Sequence, residues 1–467
     1  MRWYRTLTVA LAVGAFALSS PLAAVAAEAD AEIVVVGGTA VVSEPLAQHL
    51  QVCTDGGLQR VAGPDRYATA AGIAEHWDTA ETVFLATGLN FPDAIAAGPV
   101  AGLNESPVLL THPEWLPTAT STALTRLNPS RVVILGGTAA VSSGIESGLQ
   151  DRFPEVIRLA GVDRFATAET IAHWQFPAGS DVVYVATGMD YHDALLAGPR
   201  AIRDDAPLLL VTRNAIPVAT RRALARLAPS RIVLMGGTGV VSTAVESDLA
   251  TFATVERMAG ATLAETAAAA GRDAPGSQVF IANKDGFADG LALIPLSGGA
   301  PTYFVGAETL DGVTARAIGS RTGVPCEAWS PPYPAVGKGK RIIYSNSEQQ
   351  VWLINADETL QDTYLVSGRR GRPYPRTYQV FSKSRNAWAG HAGITMEYMV
   401  RFVRPMVSDN RLSIGFHAIP RDRYGRPLQT EAQLGTFQSA GCVRQSDAKA
   451  AAMYAWASIG TPVIVLP

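Results

Sequence analysis

A cysteine behind a turn of small residues, Ser439-Ala440-Gly441-Cys442-Val443-Arg444, and a histidine upstream in Gly415-Phe416-His417-Ala418-Ile419-Pro420 are the parts of a thiolate nucleophile and its base. A thiol is mostly protonated at neutral pH, so an imidazole must take its proton and later return one to a leaving amine, the role that falls to His417. The oxyanion of a tetrahedral intermediate needs fixed donors, and the Gly441-Cys442 turn has backbone N–H groups to present. Arg444 is the candidate for holding a substrate carboxylate, because a guanidinium forks onto two oxygens, or for helping to shape the turn, and Ser439 is the candidate for bracing the loop. This is the chemistry of a cysteine nucleophile, for which no cofactor and no metal is expected. His49, His76, His112, His173 and His192 have no metal-ligand spacing, and no HExxH or paired-carboxylate pattern stands out. His391, in Gly390-His391-Ala392-Gly393, reads equally as a cleft residue or a turn residue.

The elements that must position these groups are short β-runs. Residues 341–345, 350–355, 363–366, 378–381, 396–402 and 413–417 have strand character and are separated by turn residues such as Ser367-Gly368 and Asp409-Asn410. One helix is expected over 446–458, with an Ala/Met/Tyr/Trp stripe for the core, followed by a last strand at 462–466. The domain 341–467 is therefore mainly β. Residues 329–340 read as a linker, stiffened by proline in its first half and loosened by glycine in its second.

Upstream the chain repeats itself at a register of about one hundred residues. Val34-Val35-Val36-Gly37-Gly38-Thr39 returns as Val133-Ile134-Leu135-Gly136-Gly137-Thr138 and as Val233-Leu234-Met235-Gly236-Gly237-Thr238. Arg60-Val61-Ala62-Gly63-Pro64-Asp65-Arg66 returns as Arg158-Leu159-Ala160-Gly161-Val162-Asp163-Arg164, and as Arg257-Met258-Ala259-Gly260 without its Asp-Arg pair. Continuous apolar runs such as 82–86, 108–111 and 131–135 alternate with alanine-rich helical stretches, which predicts buried parallel sheets. The copies fall at about 32–150, 151–250 and 251–328. The third lacks its own Gly-Gly strand while the chain opens with one, so the N-terminal strand is expected to complete the third copy and close a pseudo-threefold body. Ser143 to Glu146 and Thr243 to Glu246 have capping-box spacing. The repeated Asp93 and Asp193 are read as helix N-caps rather than ligands.

Arg2 and Arg5, the apolar run Leu7 to Leu18 and small residues before Glu28 predict a secretory signal over 1–27, hence export and no membrane anchor after cleavage. Three cysteines in an exported chain allow one disulfide, Cys53 with Cys326, beside a free Cys442, or three unpaired thiols; the threefold closure would bring Cys53 towards Cys326. Residues 28–334 hold 19 Lys+Arg against 32 Asp+Glu, and residues 335–467 hold 17 against 9, balances of −13 and +8. The basic half suits an anionic substrate, and nothing in the chain suits nucleic acid.

The Arg-x-x-Gly-x-Asp-Arg, Asp-Ala and Leu-Gly-Gly motifs, recurring in order, resemble the type 2 cell-wall-binding repeat found in threes on surface proteins of Gram-positive bacteria. The resemblance implies non-covalent attachment to a wall polymer at the cell surface. His417, Ser439-x-Gly441-Cys442-x-Arg444, Tyr364-Leu365-Val366-Ser367-Gly368 and the closing Gly460-Thr461-Pro462-Val463 resemble the L,D-transpeptidases of the YkuD family. That resemblance implies attack of Cys442 on a peptidoglycan stem peptide before its terminal D-alanine, a thioester, and cross-linking to a neighbouring stem. Hydrolysis of the thioester, as by an L,D-carboxypeptidase, and a non-catalytic wall-binding role are the alternatives. The chain departs from the family pattern at Ala440, where a histidine is usual, and at Ala418, where glycine is usual.

Overall fold

The structure is a computed structural model and describes residues 33–389, 393–404 and 413–467. The expected signal segment, His391 and the Asp409-Asn410 turn lie outside the described residues. No helix among those described is long and apolar enough to cross a membrane.

In the repeat region the strands are, in chain order, β1 (Ile33–Val36), β2 (Leu58–Val61), β3 (Thr82–Thr87), β4 (Val108–Thr111), β5 (Arg131–Leu135), β6 (Glu155–Leu159), β7 (Val182–Thr187), β8 (Leu208–Val211), β9 (Arg231–Met235), β10 (Thr254–Met258), β11 (Val279–Asn283) and β12 (Thr302–Val305). They form three parallel sheets ordered β4-β3-β5-β6, β8-β7-β9-β10 and β12-β11-β1-β2. In the third sheet β1 lies between β11 and β2, with Val34 opposite Phe280 on one side and Gln59 on the other. It takes the place that β5 and β9 hold in the other two, so the N-terminal strand does complete the third unit. Strands buried on both faces are apolar throughout, and β1 is at most 2% exposed at every residue. Cys53 and Cys326 form a disulfide across 273 residues of chain, fastening the two ends of this third unit together.

The three units meet through the helices Ala97–Leu103, His192–Arg203 and Phe287–Ser297. A Cβ on Gly98 or on Gly198 would come within 2.8 Å of Ile294, so both positions stay bare for that side chain to enter. The rings of Phe91, Tyr191 and Phe287 close the same centre, with centroids 5.5, 5.9 and 6.2 Å apart.

The repeated motifs brace the Gly-Gly turns. Arg60, Arg158 and Arg257 donate to the carbonyls of Gly37, Gly136 and Gly236 at 2.9, 2.8 and 2.7 Å. Glu146 and Glu246, expected in capping boxes, instead pair with Arg158 and Arg257, each at 2.8 Å. The caps are Ser142 and Ser242, one residue earlier, whose side chains accept from the N–H groups of Ile145 and Val245. The expectation for the aspartates also fails. The helix after Asp93 starts at Ala97 with no side-chain cap, and Asp193 lies inside the first turn of its helix rather than before it. Their carboxylates face the turn glycines, whose φ is +88° and +93°; a Cβ on Gly136 would lie 2.9 Å from Asp93 Oδ2. Asp93 Oδ1 accepts from Thr167 Oγ1 at 3.1 Å, which ties one unit to the next. Burial, with a smaller push from Asp190, raises Asp193 above the usual carboxylate range.

The C-terminal region has β13 (Arg341–Ser345), β14 (Gln350–Ile354), β15 (Leu360–Leu365), β16 (Arg376–Gln379), β17 (Ser382–Ala389), β18 (Ile394–Val403), β19 (Ile414–Ala418), β20 (Val443–Gln445) and β21 (Pro462–Leu466). They make two sheets, β15-β14-β13-β21-β16 and β17-β18-β19-β20, around a core that includes Tyr344, Val400, Phe416, Val443 and Met453. The expected helix runs Asp447–Trp456, is capped by Ser446 and packs on β18 and β19.

The linker is not loose. Tyr333 is buried and donates to the Glu358 carbonyl at 2.5 Å, and Lys338 reaches back to Glu308 at 2.5 Å. Arg341, 1% exposed at its side chain, pairs with Glu358 at 2.7 Å and donates to the carbonyls of Val336 and Gly339. The glycines that were expected to loosen this segment allow it to wrap a buried cation. Removing one member of a buried ion pair leaves the other uncompensated, so Glu358→Ala is expected to destabilise this domain by about 3–5 kcal/mol. Urea unfolding followed by tryptophan fluorescence checks it.

Candidate active site

Register decides which side chains share a face. β19 and β20 run parallel with Phe416 opposite Val443, His417 opposite Arg444 and Ala418 opposite Gln445. β18 runs antiparallel to β19 with Val400 opposite Phe416 and Arg401 opposite Gly415. Because side chains alternate along a strand, Val400, Phe416 and Val443 point into the core. His417, Arg444 and Arg401 therefore share the other face, and Cys442, two residues before Arg444, joins them. Phe402 stacks on Phe416 with centroids 4.7 Å apart, which fixes the apolar side of the strands and so the direction of the polar one.

Gly415 is required by this geometry. A Cβ there would lie 2.6 Å from the Val400 carbonyl oxygen and 2.8 Å from Met399 Sδ, where β18 shifts register beside it.

His417 is 2% exposed, and its Nδ1–H donates to the Ala418 carbonyl at 2.6 Å. That bond selects the tautomer whose Nε2 is unprotonated and able to accept a proton. Ala418 thus orients the imidazole through its carbonyl, which an alanine carries as well as a glycine. Burial pushes His417 down to about 4; the Ala418 carbonyl opposes this, while the nearby Arg444 and Arg401 add to it. Cys442 is the free thiol among the described residues and is partly buried. Its Sγ donates to the Ser413 carbonyl at 3.7 Å. Burial raises the thiol above its ordinary value, and the Gly415 backbone, Arg401 and Arg444 pull the other way. Thiol and imidazole are therefore both neutral at pH 7. The pair does not rest as a thiolate and imidazolium.

The loop that carries Cys442 is held at several points. Ser439 N–H donates to the Gly368 carbonyl at 3.1 Å, and Arg369 Nη1 donates to the Ala440 carbonyl at 3.2 Å. Ser439 Oγ accepts from Gly441 N–H at 3.0 Å, in keeping with a bracing residue. The same bond occupies the Gly441 donor, so an oxyanion there has to displace Ser439 Oγ. Arg444 exchanges two 2.9 Å backbone bonds with Ser367, and its Nη1 donates to Gln429 Oε1 at 3.3 Å. Gln429 is itself buried and bonded to Ser367 Oγ at 2.7 Å.

Arg401 was not singled out from the sequence. Its Nη1 donates to Ser384 Oγ at 2.5 Å and Ser382 Oγ at 3.4 Å, which holds the cation on the face of Cys442 and His417. The alternation of apolar and polar residues along β18 marks Arg401 as facing away from the core, but only the register against Gly415 brings it to the site.

His49 lies with Cys53 and Cys326, the three offering ligand atoms within 4.8 Å of one another. The two sulfurs are bonded to each other, and His49 Nε2 is engaged with the Glu327 carbonyl at 2.9 Å.

Residues 60–146 and 158–246 match the family model of cell wall binding domain 2, and residues 339–465 match that of the L,D-transpeptidase catalytic domain. Among curated proteins, the chain is 32% identical over 196 residues to the N-acetylmuramoyl-L-alanine amidase LytC of Bacillus subtilis, covering 42% of this chain and 39% of the relative. It is 30% identical over 210 residues to the amidase enhancer of the same organism, covering 45% and 28%. The chain thus spans less than half the length of these relatives. Among solved structures, Cwp6 from Clostridium difficile is similar at a TM-score of 0.53 and 24% identity, covering 62% of this chain and 51% of that one. Cwp8 from the same organism is similar at 0.51 and 22%, covering 61% and 46%. Both likenesses concern the fold. With the parallel-sheet units in front and the Cys442 turn behind, the chain carries cell wall binding domain 2 repeats followed by a YkuD-family L,D-transpeptidase catalytic domain.

Proposed function

We propose that this chain is an exported, wall-tethered peptidoglycan L,D-transpeptidase of a Gram-positive cell surface, acting through a Cys442 thioester. The observation that carries the reading is the shared face of β19 and β20, to which strand alternation assigns Cys442 with His417, while the Nδ1 bond to Ala418 leaves the histidine's Nε2 free to accept a proton. Cys442 Sγ attacks the stem carbonyl before the terminal D-alanine while its proton passes to His417 Nε2. The oxyanion is held at the Gly441-Cys442 turn, with Gly441 N–H exchanging Ser439 Oγ for the new oxygen. Collapse breaks the C–N bond, and His417 gives the proton to the departing D-alanine amine. A stem amine then attacks the thioester, His417 takes its proton, and the released sulfur recovers it. Arg401 and Arg444 face the forming negative charge throughout, and the repeat body holds the enzyme on its wall polymer.

Incubation with tetrapeptide-stem muropeptides followed by mass spectrometry tests this. The expected product is a cross-linked dimer with one D-alanine lost. Tripeptide stems alone would make the enzyme a hydrolase, and unchanged muropeptides would leave the domain a binding module.

A further inference from the structure

Beside the nucleophile loop stands a turn that the reaction above does not use. Residues 369–376 carry Arg369, Arg370, Arg372 and Arg376 within eight positions. The ion pairs described in this domain use Arg341, Arg385, Arg421, Arg426 and Lys449. Among the described residues no carboxylate pairs with any of the four arginines of the turn. Aromatic rings support three of them instead: Arg370 lies 4.5 Å from the Phe437 centroid, Arg372 3.9 Å from Tyr374 and Arg376 4.6 Å from Tyr378. Phe437 is two residues before Ser439, and Arg369 already touches Ala440.

The backbone beneath this charge is fixed by buried polar groups. Asn346, 5% exposed, donates to the carbonyls of Arg369 and Arg372, both at 2.9 Å, and accepts from Gly371 N–H at 2.8 Å. Gln349, 1% exposed, donates to the Asn346 carbonyl at 2.7 Å and accepts from Gly368 N–H. Arg372 N–H closes the turn onto the Arg369 carbonyl at 3.1 Å. A satisfied buried network of this kind fixes a single backbone conformation. Here it presents guanidinium groups that no described carboxylate pairs, stiffened by the rings under them, beside the loop that holds Ala440 and Cys442.

We infer that this turn is an anion subsite for the stem peptide, in which Arg370 and Arg372 hold free carboxylates along the stem and make the enzyme prefer a carboxylate-bearing stem to one whose carboxylates are amidated. The inference rests on the reading of the site as a stem-peptide acyltransferase. Guanidinium groups meet carboxylates with charge-assisted, bidentate bonds that a carboxamide cannot accept in the same way.

The test compares two tetrapeptide stems that differ only in carboxylate against carboxamide, in the wild-type chain and in the double variant Arg370→Gln/Arg372→Gln. The wild type is expected to have a KM about tenfold lower for the carboxylate stem at low salt, shrinking as ionic strength rises. In the double variant the two KM values should fall within about twofold, with kcat and the rate of Cys442 alkylation by iodoacetamide unchanged. Equal KM values in the wild type, or a preference that survives the double variant, overturn the inference. If neither stem is turned over, the proposed reaction fails, and equilibrium binding of the same two peptides to the Cys442→Ala chain decides the subsite alone. A carboxylate preference lost with the two arginines supports it, and equal binding overturns it. Stronger competition by poly(glycerol phosphate) than by the carboxylate stem also overturns it and assigns the turn to a phosphate polymer.

Discussion

Cys442→Ala is expected, under the proposed mechanism, to abolish D-alanine release and cross-link formation together, lowering both by at least about a thousandfold, because Cys442 is the free thiol among the described residues. The argument is electronic as well as positional. The thiol rests neutral, raised by burial, and Arg401 and Arg444 lower the cost of its negative form once the proton leaves. A hydroxyl at the same position would be far harder to deprotonate, so Cys442→Ser should retain only a trace of transfer. Neither change opens a large cavity, since the side chain is partly buried and its one hydrogen bond is a 3.7 Å contact to the Ser413 carbonyl. Stability should therefore shift by less than about 1 kcal/mol. Product mass spectrometry and a thermal melt on the same samples separate loss of chemistry from loss of fold. Iodoacetamide under non-reducing conditions should label Cys442 and leave the Cys53–Cys326 pair unmodified. Cross-links formed at the wild-type rate by Cys442→Ala would remove this cysteine from the mechanism.

The parts of this molecule that could be read from sequence are those that local chemistry controls. Apolar runs such as Val132 to Leu135 announce buried parallel strands, because both of their faces are covered. The missing strand of the third unit could be supplied from Val34 to Val36 because the repeat itself says what is absent. The parts that escaped depend on pairing across distance. Val443 to Gln445 is too short to show as a strand, yet its register against β19 is what brings Cys442 onto the face of His417. Arg401 is one cation among many until β18 is aligned beside Gly415. The aspartates looked like N-caps because each precedes a helical run, and no local rule reveals that a glycine turn some forty residues later leaves room for the carboxylate. The glycines of the linker announce flexibility by composition, whereas their positive φ values serve the wrap around Arg341.

The largest pH effect is expected from His417. An exposed or unfolded histidine protonates near 6.5, whereas burial holds this one down to about 4 in the native chain. Above pH 6.5 the ring is neutral in both states and contributes no pH dependence. As the pH falls from 6.5 to 4 the unfolded chain takes up a proton that the native chain refuses, so the native state loses about 3 kcal/mol over that window. Urea midpoints at pH 7 and pH 4, compared between the wild type and His417→Gln, isolate this contribution from that of the carboxylates, which is common to both. The same depression sets the activity profile. A base works only while unprotonated, so the acid limb of the acylation rate should lie near pH 4, with activity kept at pH 5.5 where an ordinary imidazole would be largely charged. Arg401 and Arg444 disfavour the imidazolium, and Arg401→Gln should therefore move that limb to higher pH while weakening the pull on the thiol. An acid limb between pH 6 and 7 in the wild type would mean that the reacting base is not this buried ring. If His417→Gln left the limb in place, the base would have to be sought on another residue, even with the fold intact.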